Sequence, residues 1–303
     1  MFVLGAGSLG CLWAAHLAKV VPTRLLLRPD SPKFAHLSSG VAHLRVEQTE
    51  TWEVQVPSEA VNSKGDIQQL LLMTKAHAAV EALSQVAPRL VKGSVLVILC
   101  NGALAVHEEI KKMPSLQESH VILGLTTHGA WSKAPFHVVH AGVGRSCFGK
   151  VTCNEVIFQS TLSTLQSAGL GGERDDEIER SLWLKLAANA CINPITALLE
   201  APNGIMEAKE EICQKICEEI ALVAEASNES SAPSADEMAS FTKEAVRQTA
   251  KNKSSMLQDV LAERPTEIDY INGWIVSRAA SLGIDTPENR NLVELMRSKE
   301  RRT

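Results

Sequence analysis

The chain opens with a short apolar run, Phe2-Val3-Leu4, that passes directly into Gly5-Ala6-Gly7-Ser8-Leu9-Gly10 and then into an amphipathic helical pattern from Cys11 to Lys19. Strand, G-x-G-x-x-G turn and helix in that order commit the start of the chain to a βα unit. Gly5 permits the tight turn after the strand. Gly7 lacks a Cβ, so its backbone can approach a pyrophosphate, and Gly10 lets helix and strand pack closely. The helix N-terminus adds free N–H groups and the positive end of a dipole. Gly5, Ala6, Gly7, Ser8, Leu9 and Gly10 are therefore expected to bind a dinucleotide.

The identity of that dinucleotide turns on the end of the second strand, where a carboxylate would hold the ribose 2′-OH of NAD. The candidate strand Thr23–Leu27 ends at Arg28, and the nearest acid, Asp30, comes only after Pro29. A guanidinium can fork onto a 2′-phosphate, which a carboxylate would repel. NADP(H) is the expected cofactor, with Arg28 on its 2′-phosphate.

At 303 residues, 45% hydrophobic and 21% charged, the chain suits a soluble globular protein of two domains or one large one. A net charge of −5 and the lack of a basic run argue against nucleic-acid binding. The basic tail (Arg297, Lys299, Arg301, Arg302) is interleaved with Glu300 and expected to be solvated. Seven scattered cysteines and no secretory leader point to a reducing, cytoplasmic compartment. Cys213 and Cys217 stand one helical turn apart, but buried helix cysteines are the expected reading and no metal is expected. The glycines interrupt the uncharged N-terminal stretch, and no apolar run elsewhere is read as membrane-spanning.

The first half alternates. Phe2–Leu4, Thr23–Leu27, Gln69–Met73, Ser94–Cys100 and His120–Leu125 read as strands, with helical patterns at Ala78–Leu90 and Val106–Met113 between them. That rhythm implies an α/β fold with a doubly wound, mostly parallel, Rossmann-like sheet. Leu44–Val46 with Trp52–Val56, and Phe136–His140 with Ser146–Phe148, read as two hairpins. After the glycine run 169–172 strand signals cease. Asp175–Leu199, Ala208–Ala226, Ser234–Ala262, Pro265–Leu282 and a segment from Pro287 read as helices. The expected division is a nucleotide-binding domain over 1–172 and an all-helical domain over 173–303.

Polar residues sit in unusual places on those helices. Lys185, Asn189 and Asn193 follow i, i+4, i+8 spacing, so they stack on one face among apolar and small residues. Such groups need partners, because an unpaired buried polar group costs about 1–3 kcal/mol. A polar ligand would supply them, as would an internal polar cluster. Asn252 and Ser255 share a face at i, i+3, and Glu267 and Ile271 share another. In the first domain Lys75 and Asn101 follow apolar strands, where ligands of open parallel sheets bind.

Together these segments resemble the ketopantoate reductase (2-dehydropantoate 2-reductase) family over essentially the whole chain. The likeness rests on Gly5–Trp13, Thr74-Lys75-Ala76, Asn101-Gly102, Thr126–Ala130, Leu182–Ala187 with Asn189 and Asn193-Pro194, Pro202-Asn203-Gly204, Ser254–Asp259, Thr266–Gly273 and Pro287-Glu288-Asn289. It implies an oxidoreductase in which NADPH delivers hydride to the ketone of 2-dehydropantoate, giving (R)-pantoate for pantothenate and coenzyme A synthesis, in a cleft between two domains. By that likeness Lys185 is the proton donor and Glu267 its acidic companion, which also borders the cofactor. Asn101, Asn189, Asn193, Asn252 and Ser255 would hold the substrate, and Lys75, Asn101 and Arg28 would contact the cofactor. A related NADP-dependent 2-oxo acid reductase is the alternative. The partner is a small molecule, and the protein is a monomer or homodimer.

Overall fold

A computed structural model describes residues 1–227 and 232–301, so Arg302 of the basic tail lies outside the described residues. The chain divides into two compact units, one over Met1–Ile178 and one from Glu179 onward.

The first unit begins with β1 (Phe2–Leu4), α1 (Ser8–Leu17), β2 (Arg24–Leu27), β3 (Val41–Glu47), β4 (Thr51–Ala60), β5 (Ile67–Leu72) and α2 (Ala76–Val86). It continues with β6 (Leu90–Ile98), α3 (Ala103–Lys111), β7 (His120–Thr126), β8 (Gly129–Ala134), β9 (His137–Gly142), β10 (Ser146–Lys150), α4 (Glu155–Ser167) and β11 (Glu173–Arg174). All strands join one sheet in the order β11-β10-β7-β6-β5-β1-β2-β4-β3-β9-β8. The six strands from β7 to β4 in that order are mutually parallel. The apolar runs of β1, β2, β5, β6 and β7 are buried, as a sheet covered on both faces requires, whereas β4 alternates between exposed and less exposed residues. Trp13 of α1 packs edge-to-face on Phe148 of β10 at 5.9 Å, in a core with Leu12, Val97 and Phe158.

One of the two expected hairpins is corrected here. β3 and β4 do form an antiparallel hairpin. The segments at Phe136–His140 and Ser146–Phe148 do not: β9 pairs with β8 and β3, whereas β10 pairs with β7 and β11. Between them Gly144 packs against the end of β7, where a Cβ would stand 2.4 Å from the Thr127 carbonyl carbon. The glycine run 169–172 turns the chain through positive φ and packs on β10: Gly171 approaches the Ser146 backbone, and the Gly172 N–H donates to Ser146 O at 2.8 Å.

The second unit is helical: α5 (Ile178–Leu199), α6 (Glu210–Ala226), α7 (Ala235–Thr249), α8 (Ser255–Leu261), α9 (Asn272–Leu282) and α10 (Pro287–Glu300). Contrary to expectation, α5 is long and apolar enough to cross a membrane by length and composition, but most of it is buried inside the protein as a core helix. The helix expected over Ser234–Ala262 is broken at 250–254. There the Ala250 and Asn252 carbonyls accept from Gly204 N and Asn203 N, both at 2.9 Å, and Ser254 caps the start of α8 through Leu257 N. Pro265–Leu282 is likewise not one helix. A single 3₁₀ turn at Ile268–Tyr270 precedes α9, and Ile271 lies outside helical geometry.

A buried polar chain ties these helices together. Pro194 sits inside α5 and has no N–H for the Ala190 carbonyl. Asn272 Nδ2 donates to that carbonyl at 3.1 Å and to Asn289 Oδ1 at 2.9 Å. Asn289 Nδ2 donates to Glu219 Oε2 at 2.7 Å, and the same carboxylate accepts the backbone N–H groups of Glu288 and Asn289 at the start of α10. Asn272 and Asn289 are fully buried and Glu219 nearly so.

Two outcomes are expected from these contacts. Asn272→Ala should destabilise the protein by about 1–3 kcal/mol. In a Pro194→Ala background, where residue 194 regains an N–H, the same substitution should cost about 1 kcal/mol less; chemical denaturation of the four variants checks this, and strict additivity would contradict the role of Asn272. His107 on α3 is buried, and desolvation holds its pKa down at about 4, so it folds neutral. The unfolded chain takes up a proton near pH 6.5 while the folded one does not. Stability should therefore fall from about pH 6.5 to 4 by about 3 kcal/mol, and His107→Gln should flatten that slope in melting scans against pH.

Candidate functional site

In the N-terminal unit the residues expected at the site gather at one end of the sheet. The glycine turn follows β1, Arg28 follows β2, Thr74 and Lys75 follow β5, and Asn101 follows β6. These are the carboxyl ends of four adjacent parallel strands. The chain runs from β1 to β2 on one side and returns to β5 on the other, so the turn lies at the point where strand order reverses.

Each glycine has a distinct steric reason. Gly5 has φ +117°, and a Cβ there would lie 2.7 Å from the Met73 carbonyl carbon and Thr74 N. A Cβ on Gly10 would lie 1.9 Å from Gly5 O, so only glycine lets α1 sit against the turn. A Cβ on Gly7 would meet nothing within 4 Å, because its Cα faces open space. Gly7 is also the N-cap of α1 and provides no side-chain acceptor for the helix. An exposed helix start with free donors and no obstructing side chain fits a dinucleotide pyrophosphate. The Thr74 hydroxyl beside it is buried without a hydrogen-bond partner, a second sign of a polar ligand site.

Charge at this end is positive. Arg28 is about half exposed and 3.7 Å from Asp30, so its guanidinium keeps donors available. Lys33 is a residue that sequence reasoning missed. It lies on a 3₁₀ turn after β2, and its ammonium donates to the Ala6 carbonyl inside the glycine turn. Nothing in the local pattern singles it out; the fold of the β2–β3 connection carries it there. Lys75 is exposed at the N-cap of α2, and Asn101 is half-buried before Gly102, whose φ of +65° turns the chain into α3.

In the helical unit Lys185, Asn189 and Asn193 do occupy one face of α5. Lys185 and Asn189 are half-buried and Asn193 is buried. Trp183 packs against Trp274 of α9 at 5.4 Å, holding the same stretch of helix. One turn beyond Asn193, the Thr196 hydroxyl bonds the Ser254 hydroxyl at 2.7 Å. That bond fixes the N-terminus of α8 beside the asparagine stripe. Ser255 is the first residue of α8 and Asn252 lies in the preceding break, both exposed. They are neighbours through this turn rather than through the shared helix face expected of them. Glu267 is buried at the start of the turn before α9, so it and Ile271 share no helix face either. Asn203, part of the likeness but given no role there, is buried, its Nδ2 donates to Thr249 Oγ1 at 2.9 Å, and its Oδ1 is unpartnered.

Comparison with known proteins matches both units. Residues 1–152 fit the family model described as ketopantoate reductase PanE/ApbA, and residues 177–300 fit ketopantoate reductase PanE/ApbA C terminal. The 2-dehydropantoate 2-reductase of Shigella flexneri is 31% identical over 98% of this chain and 94% of its own. That of Vibrio cholerae serotype O1 is also 31% identical, over 98% and 97%. Among solved structures, a PanE/ApbA family ketopantoate reductase from Ralstonia eutropha JMP134 superposes with a TM-score of 0.83 at 26% identity, covering 100% of this chain and 99% of that one. D-Mandelate dehydrogenase with NADH and anilino(oxo)acetate shares the fold at a TM-score of 0.86 and 21% identity, over 99% and 98%. Matched in both its units and along nearly its full length, the chain belongs to the ketopantoate reductase PanE/ApbA family.

Proposed function

We propose that the chain reduces the ketone of 2-dehydropantoate to (R)-pantoate, a step of pantothenate and coenzyme A synthesis, as an NADP-dependent oxidoreductase of the cytoplasm that acts as a monomer or homodimer. The observation that carries this reading is the stripe Lys185, Asn189 and Asn193 on an otherwise buried helix, with the start of α8 bonded beside it. Relatives named for that reaction support it.

NADPH, when bound, would supply the hydride; Gly5 to Gly10, Arg28, Lys33, Lys75, Asn101 and Glu267 are the residues proposed to hold it. Negative charge then develops on the carbonyl oxygen of the substrate. The Lys185 ammonium stabilises that charge and hands over the proton, with Glu267 as its acidic companion. Asn189, Asn193, Asn252, Ser255 and Asn101 suit a substrate carrying a carboxylate and a hydroxyl, because amides and hydroxyls bind both without adding a like charge.

The direct test is NADPH oxidation with a panel of 2-oxo acids; 2-dehydropantoate should give the highest kcat/KM, and no turnover by folded, NADPH-binding protein would overturn the reading. Lys185→Ala should lower kcat by about 10²–10⁴-fold while NADPH affinity is kept, and near-normal turnover would remove Lys185 from proton transfer. Arg28→Ala should weaken NADPH by about 10- to 100-fold and leave NADH nearly unchanged in fluorescence titrations. An equal loss for both nucleotides would place Arg28 elsewhere.

A further inference from the structure

The helical unit carries a chemical group that the proposed reaction does not use. Cys191 lies on α5, and Cys213 and Cys217 lie one turn apart on α6. All three are buried free thiols, Cys191 and Cys217 completely. Their sulfurs lie within 4.8 Å of one another, and Cys191 Sγ is 3.8 Å from Cys217 Sγ. A pyramidal trivalent centre bound to three sulfurs at about 2.3 Å sets them roughly 3.3–3.5 Å apart, so the triangle closes on one by drawing in about 0.5 Å between Cys191 and Cys217 and at most about 1.5 Å elsewhere, within reach of small side-chain rotations. As they stand, the Cys191 thiol makes only the weak contacts that sulfur allows, to the Cys213 carbonyl at 3.7 Å and to Cys217 Sγ.

Charge selects among the ions that sulfur favours. The main influences on the three thiols come from one another, from the Thr242 hydroxyl and from the Glu210 carboxylate, and none of these is a cation. Three thiolates around a monovalent or divalent ion would leave uncompensated negative charge in an apolar interior, which is costly. Around a trivalent centre the adduct is neutral. We propose that Cys191, Cys213 and Cys217 form a binding site for a trivalent thiophilic metalloid of the arsenic(III) and antimony(III) class. Binding of arsenous acid forms three As–S bonds and breaks three As–OH bonds. Each hydroxide leaves as water with one thiol proton, and nothing is oxidised or reduced. The site is independent of the reductase reading, since none of the three thiols has a part in that chemistry.

The test uses the full-length reduced protein and sodium arsenite. Native mass spectrometry should show one arsenic per chain with the loss of three protons, and X-ray absorption at the arsenic edge should show three sulfur neighbours. Cys191→Ser, Cys213→Ser and Cys217→Ser should each weaken binding by about 100-fold, the loss of one arm of a chelate, whereas Cys100→Ser and Cys147→Ser should not. Two sulfur neighbours in the wild-type protein, undiminished binding by Cys191→Ser, or uptake of zinc(II) without arsenic would each overturn the proposal. The absorption measurement decides the matter on the wild-type chain if the serine variants do not fold.

Discussion

A single missing N–H organises the helical unit. Pro194 strips a backbone donor from the middle of α5, and an interior proline of this kind costs about 3 kcal/mol or more when nothing compensates. Asn272 meets the orphaned Ala190 carbonyl, and the demand then passes along fully buried side chains to Asn289 and Glu219. A buried carboxylate is itself expensive, several kcal/mol per ion. Glu219 is tolerable because two backbone N–H groups at the positive end of α10 and one amide N–H point at it. α5, which bears Lys185, is thus pinned to α6, α9 and α10 by directional bonds as well as by apolar packing.

The N-terminal unit answers a steric rather than a hydrogen-bonding constraint. The gap that Gly10 leaves against Gly5 O sets how closely α1 lies on the sheet, and therefore where the first N–H groups of that helix point. Buried Trp13 and Phe148 hold the arrangement from below. The positive charge of Arg28 and Lys33 is added by the connection that follows β2, not by the glycine turn itself.

Much of this was legible in the residues because periodicity and turn chemistry are local. The glycine turn, the parallel strands, the α5 stripe and the proline at the start of α10 can each be read within a dozen or so positions. What escaped depends on distant partners. Helical spacing runs through 250–254, yet the carbonyls there are taken by Asn203 and Gly204, nearly fifty residues earlier. Phe136–His140 and Ser146–Phe148 alternate as a hairpin should, but their edges are claimed by other strands. Lys33 and Cys191 look ordinary in sequence; packing brings one to the glycine turn and the other to two cysteines on a neighbouring helix. Asn252 and Ser255 are close for a different reason than their spacing suggests, namely the hydroxyl bond between Thr196 and Ser254.

The Glu219 carboxylate also imposes an order of assembly. Its donors belong to α10, some seventy residues further along the chain, and during synthesis they emerge well after it. Until they arrive, a charged group on α6 has no reason to leave water, and burying α6 against α9 would strand it. The sheet-containing unit carries no such debt to a distant helix, whereas the helical one cannot close until α10 docks.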